Sequence, residues 1–133
     1  MNAVSFEGAE IERFYWEGLS EKELRFQHCL ACGHRWLPPS EECPSCLGSE
    51  WEIQKASGVA RLISWVIYHV PPHPDFTDLV PYNVALVELD EGPRTITNLT
   101  GVDDWESIAP EKKLELTWET YEDTPLARFR VAR

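Results

Sequence analysis

Residues 29–46 read CLACGHRWLPPSEECPSC, and this stretch decides the fold. Two Cys-x2-Cys pairs, Cys29/Cys32 and Cys43/Cys46, stand ten residues apart. That spacing lets two knuckles bring four thiolates to the corners of a tetrahedron. They are all the cysteines of the chain. Their clustering within 18 residues points to metal and away from disulfides, which would need an oxidising compartment that nothing else here indicates. A redox pair would need a single CxxC in a βαβ setting. Four sulfur ligands close the coordination shell, so the expected metal is structural. Zinc is the default, and iron in a rubredoxin-like site satisfies the same geometry. Gly33 follows the first pair, where a knuckle turn uses positive φ, whereas Leu47 precedes Gly48 after the second. His28 and His34 flank the first pair and read as surface or packing residues, because four ligands are already present.

Toward the N-terminus, Ile11, Phe14, Tyr15, Gly18 and Leu19 form a helical stripe. Ser20 and Glu23 read as a capping box, with Leu19 and Leu24 as its staple, which predicts a second helix from Glu21 and hence a helical hairpin. Phe14, Tyr15 and Trp16 exceed the aromatic content a small metal module needs, and the expectation is that they dock on a partner subunit. Toward the C-terminus, from Gly58, the texture changes to β-branched and aromatic runs separated by Pro, Asp and Gly. Five runs are expected to be strands: 59–70, 82–89, 94–99, 113–121 and 127–132. Asp90-Glu91-Gly92 makes a tight turn between the second and third. Leu114, Leu116 and Trp118 alternate with Glu115, Thr117 and Glu119, a strand with one wet face. An acidic start at Asp103-Asp104 and a stop at Pro110 predict a short helix after the third run. Five strands with a helix in that place match an OB barrel. The first run is apolar at both parities, as a long coiled strand serving two halves of a barrel would be. The fold expected is mainly β with a small α part: a helical segment over 1–26, a zinc ribbon over 27–56 and a five-stranded OB domain over 57–133.

The 12 Lys+Arg against 23 Asp+Glu give a net charge of −11, which disfavours grip on a phosphate backbone or an anionic membrane. Residues 57–133 alone carry 7 Lys+Arg against 13 Asp+Glu. A rival reading as a single-stranded nucleic-acid binder lacks the basic groove it requires. The N-terminal stretch has no signal-peptide layout, and no run reaches the roughly 18 apolar residues of a bilayer span. The expectation is a soluble, cytoplasmic chain. No GxSxG, Walker, HExxH or GxGxxG motif is present. His69 and His73 lie near Asp75 and Asp78, in a Pro-rich surface loop without a nucleophile. Arg61, Trp65 and His69 share one face of a regular strand, and Arg94, Lys112 and Lys113 would gather at one end of the barrel. These six are the candidate contacts to an anionic coenzyme or a partner. Arg128 and Arg130 are expected opposite Glu115 and Glu119 across strands.

The order of features is the aromatic helix at 14–19, the knuckles joined by Pro38-Pro39, Ser57-Gly58, a long strand ending in His69, and PYNVALVELDEG over 81–92. From Phe14 to Phe129 this resembles the DUF35 family, the acyl-CoA-associated OB-fold zinc-ribbon proteins. The resemblance implies a helical hairpin, a zinc ribbon bound through Cys29, Cys32, Cys43 and Cys46, and an OB domain. It also implies a noncatalytic accessory subunit of thiolase-superfamily enzymes, or of hydratases and aldolases acting on acyl-CoA, that helps bind acyl-CoA and bridges subunits. Partners in such a family include enzymes of mevalonate-type condensation, steroid side-chain degradation and aromatic degradation such as benzoylsuccinyl-CoA thiolase. The sequence departs from the family pattern at Leu47 and around Glu111-Lys112, where glycine is usual. A rubredoxin-like iron electron carrier is the remaining alternative.

Overall fold

The computed structural model describes residues 10–102 and 104–132. Residues 1–9, Asp103 and Arg133, which belong to the expected 1–26 and 57–133 segments, lie outside the described residues. After a 3-10 turn over Glu10–Glu12, helix α1 spans Arg13–Ser20 and buries Phe14, Gly18 and Leu19, the side marked by the stripe.

The second helix of the expected hairpin does not form. Ser20 is still the last helical residue, and its hydroxyl donates to the Glu17 carbonyl instead of capping a new helix. Lys22 takes positive φ, the Glu23 N–H bonds the Gly18 carbonyl and the Lys22 N–H bonds the Leu19 carbonyl. This is the double hydrogen bond that closes a helix C-terminus. The same four residues that spell a capping box therefore end α1 and turn the chain directly into a strand. Gly18 is required there, since a Cβ would lie 2.8 Å from the Glu23 carbonyl oxygen.

Strand β1 (Arg25–Cys29) is the centre of a three-stranded antiparallel sheet, flanked by β2 (Arg35–Trp36) and β3 (Trp51–Lys55). The second sheet contains β4 (Val59–Tyr68), β5 (Tyr82–Leu89), β6 (Arg94–Thr97), β7 (Leu99–Thr100), β8 (Lys113–Tyr121) and β9 (Thr124–Val131), in the order β6-β5-β4-β8-β9-β7. Strands β6 and β7 are one stretch broken at Asn98, the first half pairing with β5 and the second running parallel to β9. The sheet thus returns to its own beginning, and the five sequence runs make one closed OB-type circuit. The expected helix after the third run is a single 3-10 turn, Trp105–Ser107, whose Glu106 N–H is capped by the Asp104 carboxylate at 3.0 Å.

Asn83 secures the closure. Its amide Nδ2 donates to the Leu99 carbonyl at 2.9 Å and its Oδ1 accepts from the Leu99 N–H at 2.6 Å, so one buried side chain serves as the missing strand partner of Leu99. Asn83→Ala would leave both Leu99 groups buried without partners, at about 1–3 kcal/mol each. A loss of about 2–6 kcal/mol in urea unfolding is the expected result.

The first long strand is apolar at both parities because its parity changes. Leu62 faces Val87 and Ser64 faces Leu86, which leaves Ile63 as a bulge. Ala60 and Leu62 point inward before it, whereas after it Trp65 packs against the core and Val66 and Tyr68 point outward. The ribbon and barrel share one buried cluster: Leu24 and Phe26, from the entry and first strand of the ribbon, join Ala56, Leu62, Val87, Leu114 and Phe129. Among the described residues no helix is long and apolar enough to cross a membrane.

Candidate metal centre

Each knuckle is shaped by backbone hydrogen bonds, and the two repeat each other. The Cys29 N–H bonds the His34 carbonyl and the Gly33 N–H bonds the Cys29 carbonyl; the Cys43 N–H bonds the Gly48 carbonyl and the Leu47 N–H bonds the Cys43 carbonyl. Gly33 and Leu47 occupy matching places, with φ of 81° and 65°. The residue that departs from the family pattern thus keeps the glycine conformation, as does Glu111 at φ 69°. A left-handed backbone costs a side-chain-bearing residue roughly 1–2 kcal/mol, partly offset by the flexibility of glycine in the unfolded chain. Since the Leu47 side chain is exposed, Leu47→Gly is expected to leave the fold intact and raise its stability by up to about 1 kcal/mol, read as a higher melting temperature.

The knuckles place all four Sγ atoms within 4.8 Å of one another, with Cys29 to Cys46 and Cys32 to Cys43 each at 3.6 Å. A tetrahedron with metal–sulfur bonds of about 2.3 Å has edges of about 3.8 Å, so these distances suit a bound cation and are far too long for a disulfide. Backbone N–H groups of Cys32, Ser45 and Gly48 point at Cys29, Cys43 and Cys46, each at 3.4 Å, and stabilise thiolate charge. The Cys32 N–H is the main reason the Cys29 thiol is lowered to about 6. At Cys46 the Gly48 N–H favours the thiolate, but crowding by the sulfurs of Cys29, Cys32 and Cys43, together with burial, outweighs it and pushes the thiol up to about 12. Four thiolates this close repel, and a divalent cation is the group whose charge offsets that repulsion. The donor set therefore fits a closed, structural S4 ion.

Around the centre, Gln27 is fully buried and its amide makes two bonds to the Ser40 backbone, Nε2 to the carbonyl at 2.8 Å and Oε1 from the N–H at 2.9 Å. This ties the loop between knuckles to β1. The Trp36 indole donates to the Ser40 hydroxyl at 2.9 Å, and His34 stacks on Trp36. His28 bonds Glu52 at 3.0 Å, and this contact holds the Glu52 carboxyl below the usual range. Neither histidine belongs to the four-sulfur cluster, as expected. No sequence signal beyond its parity in β1 marked Gln27.

The aromatic trio is used largely within the chain. Phe14 is buried with its ring 6.1 Å from Trp51 of the ribbon, Tyr15 packs against the barrel core, and Trp16 meets Tyr15 edge-on. Burial raises the Tyr15 phenol, against a lowering by Arg128. Phe14 and Tyr15 therefore clamp helix, ribbon and barrel together, which corrects their expected exposure as partner anchors.

The row of Arg61, Trp65 and His69 does not exist either, because the bulge at Ile63 turns Trp65 inward while Arg61 stays outside, and His69 lies beyond the end of β4. Arg61 instead bonds Glu88 at 2.9 Å and also Glu111, and Arg94 bonds Glu88 at 2.9 Å. These guanidinium contacts hold the Glu88 carboxyl below its ordinary range. Arg61 faces Lys113 across β4 and β8, with Lys112 alongside. The positive charges do gather at one end of the barrel, but two carboxylates sit among them. Of the four, Lys112 and Lys113 make no ion pair among the described residues. Arg130 bonds Glu115 at 2.6 Å as expected, whereas Arg128 faces Thr117 and donates to a backbone carbonyl.

Residues 16–52 match the family model described as "ChsH2, rubredoxin-like zinc ribbon domain", and residues 54–119 match "ChsH2, C-terminal OB-fold domain". A solved chain described as "Ltp2-ChsH2(DUF35) aldolase" superposes with a TM-score of 0.77 at 36% identity, covering 90% of this chain and 93% of that one. The chain belongs to the DUF35 family. Its four-cysteine centre is accordingly that of one structural zinc. Among other relatives, a probable enoyl-CoA hydratase alpha subunit of Thermomonospora curvata is 41% identical over 99 residues, 74% of this chain. The match spans only 28% of that larger protein. The benzoylsuccinyl-CoA thiolase subunit BbsA of Thauera aromatica is 27% identical over 114 residues, covering 83% of this chain and 76% of that subunit.

Proposed function

We propose that this chain is a noncatalytic, zinc-containing accessory subunit of a thiolase-type acyl-CoA enzyme complex. The observation that carries the reading is the match along nine-tenths of the chain to the DUF35 chain of the aldolase described above. The thiolase subunit BbsA supports the choice of partner class. The chemistry of the chain agrees. Acyl transfer through an enzyme thiol needs a free cysteine and a proton-transfer group, and every cysteine here sits in the four-sulfur centre. The chain then contributes binding and positioning. Lys112 and Lys113, exposed at the barrel end, are the cations proposed to meet coenzyme phosphates; Arg61 and Arg94 are already held by Glu88.

The test compares the purified chain, a thiolase-superfamily partner and their mixture against a panel of acyl-CoA thioesters. No turnover is expected from the chain alone, and the mixture is expected to exceed the partner alone by at least tenfold. Turnover by the chain alone, or no effect on any partner, overturns the proposal. Elemental analysis of fresh protein separates it from the iron-carrier alternative, zinc supporting it and iron opposing it.

A further inference from the structure

A cavity of about 460 Å³ opens at the end of the barrel where the positive charges gather, with Arg61, Glu88, Asp90, Glu111 and Lys113 in its wall. Arg61 is shared there by two carboxylates that are held very differently. Glu88 reaches Arg61 with Oε1 and Arg94 with Oε2, both at 2.9 Å, and its side chain is only 22% exposed. Glu111 meets Arg61 through one oxygen, at Nη1, has no other ion pair among the described residues, and is 63% exposed. Glu88 is a fixture of the wall, whereas an ion pair as open as that of Glu111 contributes little and exchanges readily. The backbone also sets Glu111 apart, because its φ of 69° lies in the left-handed region that burdens any residue with a Cβ. The fold imposes this turn: the Glu111 N–H bonds the Leu62 carbonyl at 2.8 Å and the Leu62 N–H bonds the Lys112 carbonyl at 2.9 Å, strapping the entry of β8 to β4. Glycine would fill the place without strain. The side chain that stands there instead lays a carboxylate on Arg61, and strain retained beside a charged cavity points to a functional contact.

The local charges say what Glu111 stands in for. Arg61, Arg94 and Lys113 are matched by Glu88, Asp90 and Glu111, so the group is electrically even while Glu111 is in place. Once its carboxylate leaves Arg61 the group has positive charge to spare, to which Lys112 adds. Lys113 faces Arg61 across β4 and β8, lines the same cavity and has no ion pair among the described residues. A guanidinium and an ammonium side by side suit an anion with more charge and more oxygens than one carboxylate, and a phosphate group has both. We infer that Glu111 is a displaceable cover on a phosphate site formed by Arg61 and Lys113. The coenzyme's phosphate takes the Nη1 side of Arg61 from Glu111, while Glu88 keeps the guanidinium in position from the other side. This rests on the proposed coenzyme contact at the barrel end and adds to it Arg61 as a binding residue and Glu111 as the group that regulates entry.

The test titrates coenzyme A, and separately inorganic phosphate, into the full zinc-loaded chain, alone and assembled with a thiolase-superfamily subunit that binds it, with that subunit alone as background. Melting curves confirm that each variant is folded. Glu111→Gln keeps the side chain and removes only its charge, and it is expected to bind coenzyme A about fivefold more tightly than wild type. Glu111→Gly, which suits the left-handed turn, is expected to show the same gain. Lys113→Gln is expected to bind about tenfold more weakly. In Arg61→Gln/Glu111→Gln the gain is expected to vanish, because the cover acts through Arg61. Glu119→Gln, which removes one negative charge from the exposed end of β8, is expected to bind like wild type. An equal gain in Glu119→Gln would reduce the effect to net charge and overturn the inference. Unchanged binding in both Glu111 variants, with Lys113→Gln still weakened, overturns the cover and leaves the coenzyme contact standing. No binding of coenzyme A by the chain in either form overturns both. Inorganic phosphate bound as tightly as coenzyme A would assign the site to the free ion and overturn the coenzyme as its source.

Discussion

Cys43→Ser is expected to release the zinc and to weaken the whole chain. Structural zinc contributes an apparent 10–16 kcal/mol in small zinc-finger peptides, and a fully buried sulfur of a closed S4 set is being removed. Metal content measured on the purified variant is expected to fall from one zinc per chain to none. The effect does not stop at the knuckles. Were the ribbon a separate module, the barrel would be indifferent to the loss, but Leu24 and Phe26 belong to the barrel's own buried cluster. The melting temperature followed at barrel tryptophans is therefore expected to drop with the metal, by roughly 3–5 °C for each kcal/mol at this chain length. Chelation of the wild-type protein is expected to do the same reversibly. An unchanged barrel transition in zinc-free protein would show that the two parts are energetically independent.

Phe26→Ala probes the same coupling from the other side. Phe26 is fully buried in β1, next to the Gln27 amide that anchors the inter-knuckle loop and three residues before Cys29. Removing a buried phenyl ring costs about 3–5 kcal/mol in lost transfer energy and cavity formation. Denaturant unfolding is expected to show that loss as a single cooperative transition in which zinc release and barrel unfolding coincide. Two separated transitions, or a loss under 1 kcal/mol, would contradict a shared core.

The cysteine pairs and the five β runs were readable because each obeys a short-range rule. Sulfur spacing fixes the knuckles, and alternation fixes strands such as 82–89 and 113–121, which match the structure residue for residue. What misled were motifs with two meanings. Ser20-x-x-Glu23 satisfies the pattern of a helix start, yet Lys22 in positive φ makes it a helix end, because the outcome depends on whether Leu24 can reach the barrel core. The Arg61, Trp65 and His69 row assumed unbroken alternation, and one bulged residue dissolved it. The aromatic trio announced burial against something; that Phe14 finds Trp51 is a tertiary fact with no local signature. Asn83 stood in the stretch that carried the family resemblance, but its service to Leu99, sixteen residues away, depends on barrel closure.

The extra residue at Ile63 makes β4 behave like a reading frame. Upstream of it even-numbered side chains are interior, and downstream odd-numbered ones are. A descendant with one residue deleted at this point would keep nearly the same composition and strand propensity. Its register would return Val66 and Tyr68 to the interior and put Trp65 and Ile67 outside. Insertion or loss of a single codon here would thus exchange one set of surface side chains for another in one step.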